Sequence, residues 1–276
     1  MKKIAVVGMG IIGGSICAAL TKAGYEVDGF AKSENSVESA LKLGYIRKKA
    51  TDLTQYDVVF IAVPPYTTME YLDKATFKDG ALVTDICGVK EVLETLVYEK
   101  ARNYRYVGMH PMAGKETSGI ASATADLFVG ANVIITQAPQ TQDCDVEELK
   151  EYISAMRFGR IIQCTAKQHD KKIALTSQLA HIVSNAYVKS SEVAGCDGFT
   201  GGSFQDMTRI AGVDENVWTP LYACNRENII HELSGLIQHL QVYCDALQSA
   251  DDEKLSATLR EGRLIRETIK RENKTK

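Results

Sequence analysis

The residues of this chain best suited to chemistry lie in the segment Gly108-Met109-His110-Pro111-Met112-Ala113-Gly114-Lys115-Glu116-Thr117-Ser118-Gly119. Imidazole ionises near neutrality, so a histidine held stiffly beside a ligand is suited to taking up a proton. Pro111 fixes its own φ and restrains His110 toward extended backbone, and the flanking glycines let a ligand approach closely. Residues 104–107 read as a strand feeding this segment, which puts His110 at a strand's carboxyl end. Open α/β sheets bind their ligands at that edge.

A second constellation stands at the start of the chain. Lys3-Ile4-Ala5-Val6-Val7 has the pattern of a buried strand, and Gly8-Met9-Gly10-Ile11-Ile12-Gly13-Gly14 follows at once. Ile12, Ile16 and Leu20 then recur at helical spacing until Gly24. A G-x-G-x-x-G run between a strand and a helix is the signature of a dinucleotide cradle. Gly8 permits the tight turn, Gly10 lets a pyrophosphate approach the backbone, and Gly13 lets helix pack on strand. The N–H groups opening the helix, those of Ile11 and Ile12 among them, then face the anion. Cofactor choice falls to the end of the second strand, where the chain reads Val27-Asp28-Gly29-Phe30-Ala31-Lys32-Ser33. Asp28 is too early for a ribose-binding acid, and Ala31, Lys32 and Ser33 at the tip favour the 2′-phosphate of NADP, with NAD the alternative. Val63-Pro64-Pro65 and Thr84-Asp85-Ile86-Cys87-Gly88-Val89-Lys90 end two further strands at the same edge, so Val63, Pro64 and Asp85 are expected to line the cofactor.

The elements that must position these groups divide the chain in two. Short β-branched runs at 3–7, 26–30, 58–63, 81–84, 105–107, 132–136 and 160–163 alternate with helical patterns such as 12–23, 35–43, 89–102 and 145–157. This alternation predicts an α/β fold with a mostly parallel, doubly wound Rossmann-type sheet over residues 1–165. Residues 166–276 carry no strand pattern; 167–191, 215–248 and 251–273 read as long helices around a Gly-rich break at 195–203. Such a helical domain, with long amphipathic stretches, is expected to pair with a second copy and make a homodimer. Lys+Arg 32 against Asp+Glu 35 offers no basic field for nucleic acid or an anionic membrane. The first apolar run is broken by glycines, which reads as a strand and not as a secretory signal. The 7 cysteines show no C-x-x-C pair, which argues against a disulfide framework and a zinc site and for a reducing cytoplasm.

Taken together, the cradle, the 85–90 turn, residues 110–119 and Gly201-Gly202-Ser203-Phe204-Gln205-Asp206-Met207-Thr208-Arg209-Ile210-Ala211 resemble the prephenate/arogenate (cyclohexadienyl) dehydrogenase family of tyrosine biosynthesis. Residues 110–119 follow its H-P-[IM]-A-G-x-E-x-S-G segment and 201–211 its G-G-x-F-x-D-x-[TS]-R-I-A segment. The resemblance spans essentially the whole chain and implies oxidative decarboxylation of prephenate to 4-hydroxyphenylpyruvate with hydride transfer to a nicotinamide. The alternatives are arogenate as substrate and, further off, a β-hydroxyacid or imino-acid dehydrogenase. It also implies that His110 is the catalytic histidine taking the hydrogen bond of the ring 4-hydroxyl, and that Arg209 binds the ring carboxylate. Trp218, the single tryptophan, is implied to line the substrate pocket. Since only neutral imidazole can accept that bond, activity is expected to fall below about pH 6.5.

Two departures from the family pattern stand out. Its D-x-G-S-V-K turn is Asp85-Ile86-Cys87-Gly88-Val89-Lys90 here, so Gly88 replaces the serine that assists near the 4-hydroxyl. Its S-H-L-P-H is Ser177-Gln178-Leu179-Ala180-His181, which keeps Ser177 and His181 on the substrate side and loses one histidine to Gln178. Lys115, where relatives commonly carry threonine, is expected to favour the pyruvyl carboxylate of prephenate over the ammonium of arogenate. His169-Asp170 reads as a mainly structural pair.

Overall fold

Five short strands, buried along most of their length, form one parallel sheet in the order β2-β1-β3-β4-β5. They are β1 (Ile4–Val7), β2 (Val27–Phe30), β3 (Val58–Ile61), β4 (Leu82–Asp85) and β5 (Arg105–Tyr106). The computed structural model describes residues 2–114 and 117–274. Alternate residues of the strands face two separate cores, which is what a parallel sheet covered on both sides requires. Ile4, Val6, Phe60 and Leu82 pack on one face with Ile16 and Leu20 of helix α1 (Ile11–Lys22). Ala5, Val7, Val59, Ile61 and Val83 pack on the other face, with Leu72 and Leu93. Leu72 comes from α3 (Pro65–Lys74) and Leu93 from α4 (Glu91–Tyr98); α2 (Glu34–Lys42) lies between β2 and β3 in the chain. The order turns back at β1 and β3, whose carboxyl ends form the crevice of a doubly wound fold.

His110 does not follow the end of a strand in that sheet. The chain leaves β5 at Tyr106 and begins a new strand, β6 (Gly108–Pro111), in a second sheet of order β6-β7-β8. Here β7 is Asn132–Thr136 and β8 is Arg160–Cys164. β6 runs antiparallel to β7 with His110 opposite Ile134, and β7 and β8 are parallel across helix α5 (Asp143–Ala155). A Cβ on Gly108 would stand 2.4 Å from Thr136 Oγ1, so glycine lets β6 close on β7. Residues 104–111 carry no turn signal between the two strands, which is why they read as one strand feeding a loop.

The helical half is more broken than its periodicity predicts. Thr165 and Gln168 form a capping box that starts α6 (Ala166–Ile173). A wide π turn over Ala174–Leu179 then separates it from α7 (Ala180–Tyr187). α8 (Gly202–Thr208) follows the glycine-rich break. The expected helix 215–248 is two helices, α9 (Glu215–Cys224) and α10 (Arg226–Gln248), parted at Asn225. Buried Asn225 Nδ2 donates to the Asp170 carbonyl at 2.9 Å and to Gln178 Oε1 at 2.6 Å. This polar anchor replaces the continuous helix.

Residues Met1–Arg226 form one compact unit and Glu227–Lys276 a second. The second is made of α10 and α11 (Asp252–Lys274), on which Ile237, Leu240, Leu259, Leu264 and Ile265 are exposed. Among the described residues no helix is long and apolar enough to cross a membrane.

Candidate active site

Three glycines of the first turn meet three different demands. Gly8 has φ +103, and a Cβ there would lie 2.1 Å from the Ala62 carbonyl oxygen. A Cβ on Gly13 would lie 1.8 Å from the Gly8 carbonyl oxygen, whereas nothing stands within 4 Å of one on Gly10. Gly10 is the N-cap of α1 and contributes no side-chain cap. The helix thus opens with the N–H groups of Ile11, Ile12 and Gly13 at a clear space, which fits the diphosphate of a dinucleotide.

The tip of β2 lacks an acid that could take a ribose. Asp28 is buried and bound by Tyr56 Oη at 2.9 Å and by two nitrogens of Arg47 at 3.2 and 3.1 Å. Ser33 caps α2, its hydroxyl accepting from Ser36 N–H. Ala31 is half-buried beside it, and Lys32 lines a shallow pocket of about 360 Å³ with Thr67, Tyr71 and Lys74. Val63 and Pro64 follow β3, where Pro64 caps α3 and the Val63 carbonyl accepts from Thr68 Oγ1 at 2.9 Å.

Asp85, expected at the cofactor, has its carboxylate engaged elsewhere. It is fully buried and accepts from Lys90 Nζ at 2.5 Å, Tyr106 Oη at 2.6 Å and Cys87 N–H at 2.7 Å. Burial of Lys90 demands this partner, because an unpaired ammonium inside protein is strongly unfavourable. The carboxylate therefore organises the end of β4 and has no free face for a ribose or nicotinamide.

His110 opens on a cleft of about 720 Å³. Gly88, Met112, Ser177, Gln178, His181, Arg209, Trp218 and Leu221 share its lining, so the structure gathers His110 with four of the five residues expected on the substrate side. The fifth, Lys115, lies outside the described residues. Trp218 packs against His181 with ring centroids 4.0 Å apart and ring planes tilted by 36°. His181 Nδ1 stands 2.9 Å from the Ser177 carbonyl, so it donates there and leaves Nε2 toward the cleft side chains. The π turn carries Ser177 and Gln178, consistent with the tendency of such turns to occur at functional sites. Arg209 sits at the carboxyl end of α8.

The two departures acquire a structural meaning. A Cβ on Gly88 would stand 3.6 Å from His110 Cε1 and 3.7 Å from Nε2, so glycine leaves room directly over the imidazole. Cys87 does not fill that role. Its thiol is buried against Thr68 Oγ1 and the Val63 carbonyl, at 3.3 and 3.6 Å, and burial pushes its pKa up to about 12. Gln178 turns its carbonyl oxygen to Asn225 and supports the helix junction.

Burial, the neighbouring His169 and the Lys90 ammonium all disfavour a charged His110 and hold its pKa well below the usual 6.5. The acid limb expected near pH 6.5 therefore moves to lower pH. Sequence reasoning missed the partner behind this imidazole. His110 Nδ1 is 2.8 Å from His169 Nε2, and His169 Nδ1 is 2.6 Å from Asp170 Oδ1. Fifty-nine residues separate the two histidines, and no local spacing announces the contact.

The family model described as "Prephenate dehydrogenase, nucleotide-binding domain" matches residues 16–162, and "Prephenate dehydrogenase, dimerization domain" matches 165–261. The chain is 30% identical to a prephenate dehydrogenase of Lactococcus lactis over 98% of this chain and 78% of that one. It is 27% identical to a cyclohexadienyl dehydrogenase of Zymomonas mobilis over 98% of this chain and 96% of that one. A crystal structure of Aquifex aeolicus prephenate dehydrogenase, in complex with hydroxyphenyl propionate and NAD+, is 27% identical and superposes with a TM-score of 0.84 over 98% of both chains. With both domain models matched in order across most of its length, the chain belongs to the prephenate dehydrogenase family.

Proposed function

We propose that this chain oxidatively decarboxylates prephenate to 4-hydroxyphenylpyruvate in tyrosine biosynthesis, with residues 1–165 holding a nicotinamide dinucleotide and 166–276 completing the substrate side. The observation that carries this reading is His110 opening, beside a side-chain-free position at Gly88, on a cleft that also holds Arg209, His181 and Trp218. When bound, the dinucleotide supplies the hydride acceptor. His110 Nε2 accepts the hydrogen bond and then the proton of the ring 4-hydroxyl as hydride leaves the same carbon. Loss of carbon dioxide makes the ring aromatic, and the proton returns to the phenolate oxygen. Aromatisation drives the sequence, so the protein's task is placement and proton transfer. Arg209 offers a planar fork to the ring carboxylate. Trp218 and His181 give one aromatic wall.

Lys32 and Lys74 at one pocket, with Asp28 committed to Arg47 and Tyr56, favour NADP over NAD. The exposed apolar side chains of α10 and α11 support pairing of two copies through the helical part. The test is reduced-nicotinamide absorbance on mixing enzyme with prephenate or arogenate and either cofactor. Turnover of prephenate with NADP at the higher kcat/KM is the expected result. Turnover of arogenate alone would reassign the substrate, and a strong preference for NAD would remove Lys32 and Lys74 from cofactor choice.

A further inference from the structure

We propose that His169 and Asp170 are positioning residues that act through His110, a two-link hydrogen-bond chain that keeps the His110 proton on Nδ1 and its lone pair on Nε2. The proposal rests on the proton-accepting role given to His110 above. Asp170 anchors the chain. Its Oδ1 accepts from the Lys90 N–H at 2.8 Å and its Oδ2 from the Glu91 N–H at 2.9 Å. These are N–H groups at the start of α4, where the helix dipole also favours a carboxylate. An Asp170 carboxylate that accepts on both oxygens takes its third contact, from His169 Nδ1 at 2.6 Å, as an acceptor too. His169 Nδ1 therefore carries the proton, and its Nε2 presents a lone pair.

That lone pair faces His110 Nδ1 at 2.8 Å. Two facing nitrogens make a hydrogen bond only if one carries a hydrogen, so the proton of neutral His110 lies on Nδ1. Its Nε2 is then the acceptor, beside the open position of Gly88. The opposite tautomer would offer the substrate hydroxyl an N–H and could take no proton from it. The rings meet at 63° with centroids 5.1 Å apart, an edge-on approach that suits a hydrogen bond better than stacking.

The chain is rigid at its far end. Asp170 and His169 are 1% exposed, and the Asp170 carbonyl is held by Asn225, itself held by Gln178. When Nε2 takes a proton, the Nδ1–H bond leads the new positive charge toward the Asp170 carboxylate. The Lys90–Asp85 pair lies beside it at the β4 end, and His181 and Arg209 share the cleft. A chain of polarised bonds at low dielectric is strengthened in this way. Outer partners that orient a metal-ligating histidine are typically worth about 10- to 100-fold in activity, and a similar scale is expected for His169.

The first experiment needs no turnover. Ring 15N NMR of the resting enzyme at neutral pH reads the tautomer of each of the 5 histidines, and the His110 signal is identified by its loss in His110→Asn. A protonated Nδ1 and bare Nε2 at His110 is the expected result, and a protonated Nε2 overturns the proposal. The second experiment uses His169→Phe, which removes the acceptor, and His169→Gln, whose amide oxygen can restore it. His169→Phe is expected to mix the His110 tautomers and lower kcat about 10- to 100-fold with KM for prephenate within about threefold. His169→Gln should recover much of that loss. A folded His169→Phe with wild-type kcat and an unchanged His110 signal overturns the proposal; should this variant not fold, the wild-type tautomer decides alone. Wild-type enzyme inert toward prephenate would defeat the assigned function while leaving the tautomer measurement to decide the chain.

Discussion

The cofactor cradle and the His110 cleft are built from different materials. The cradle is backbone: Gly8, Gly10 and Gly13 act by what they lack, and their contacts lie within one strand, one turn, one helix and the adjacent Ala62 and Val63. The cleft is side chain, with His110 from β6, Ser177 and Gln178 from the π turn, His181 from α7, Arg209 at the end of α8 and Trp218 from α9. A backbone site fails as structure when it is altered, whereas a side-chain site can lose its chemistry and keep its fold.

The sharpest way to break that contrast is to make one substitution in each region. His110→Asn should lower kcat about 10²- to 10⁴-fold, the usual worth of a general base, with thermal unfolding close to wild type. Gly13→Ala should instead lower the melting temperature and weaken dinucleotide binding together, because its Cβ would lie 1.8 Å from the Gly8 carbonyl oxygen. Denaturation and cofactor titration of both variants check this. A Gly13→Ala protein of unchanged stability and affinity would erase the distinction.

Arg209→Lys probes the cleft less severely. Losing the planar fork to a carboxylate is worth about 1.5–3 kcal/mol, so kcat/KM for prephenate should fall about 10- to 100-fold. Steady-state kinetics would read it, and a fall of less than threefold would take Arg209 off the carboxylate.

Proton uptake also separates the two regions, since it touches the cleft and not the cradle. The folded protein holds His110 and His169 below the ordinary value of 6.5, chiefly by burial. Neutral His110 then persists into mild acid, and kcat should stay level as pH falls through 6.5 and decline only below it. Stability should begin to fall at higher pH than activity does. The unfolded chain takes up protons near pH 6.5 that the folded chain refuses, so unfolding free energy present above pH 6.5 is lost as pH falls toward the folded pKa values. Urea titrations from pH 7 to pH 5 would show the decline, and an activity limb centred at 6.5 would contradict the burial argument.

The smallest effect is expected at Gly88→Ser. Its Cβ meets His110 and Leu221 no closer than 3.5 Å and therefore fits. A change of only a few-fold in kcat is expected, because the hydroxyl joins an imidazole already oriented from behind. A rise of a hundredfold, read in the same kinetic assay, would show that orientation to be poor.

Legibility in the sequence follows the same division. The cradle was readable because its three glycines fall within six residues and their consequences are local. His110 and Arg209 could be picked out by type and motif, but their meeting in one cleft depends on sheet order and helix packing. His169 read as structural because its role exists only through β6, a strand in a second sheet that the run 104–111 conceals. Asp85 misled for the converse reason. Its place at a strand end was right, but the burial of Lys90 five residues later, which takes up its carboxylate, leaves no periodic trace. The break at Asn225 was equally silent, since a polar residue inside a helical pattern looks the same whether it faces water or anchors a junction.

The interlocked glycines also bear on motion. Gly13 abuts the Gly8 carbonyl, and Gly8 abuts that of Ala62, so the first turn of α1 meets the residues just after β1 and β3 backbone to backbone. Interiors packed to that closeness have no slack for sliding. The start of α1 is thus already ordered, and a dinucleotide bound there would spend none of its free energy of association on ordering it.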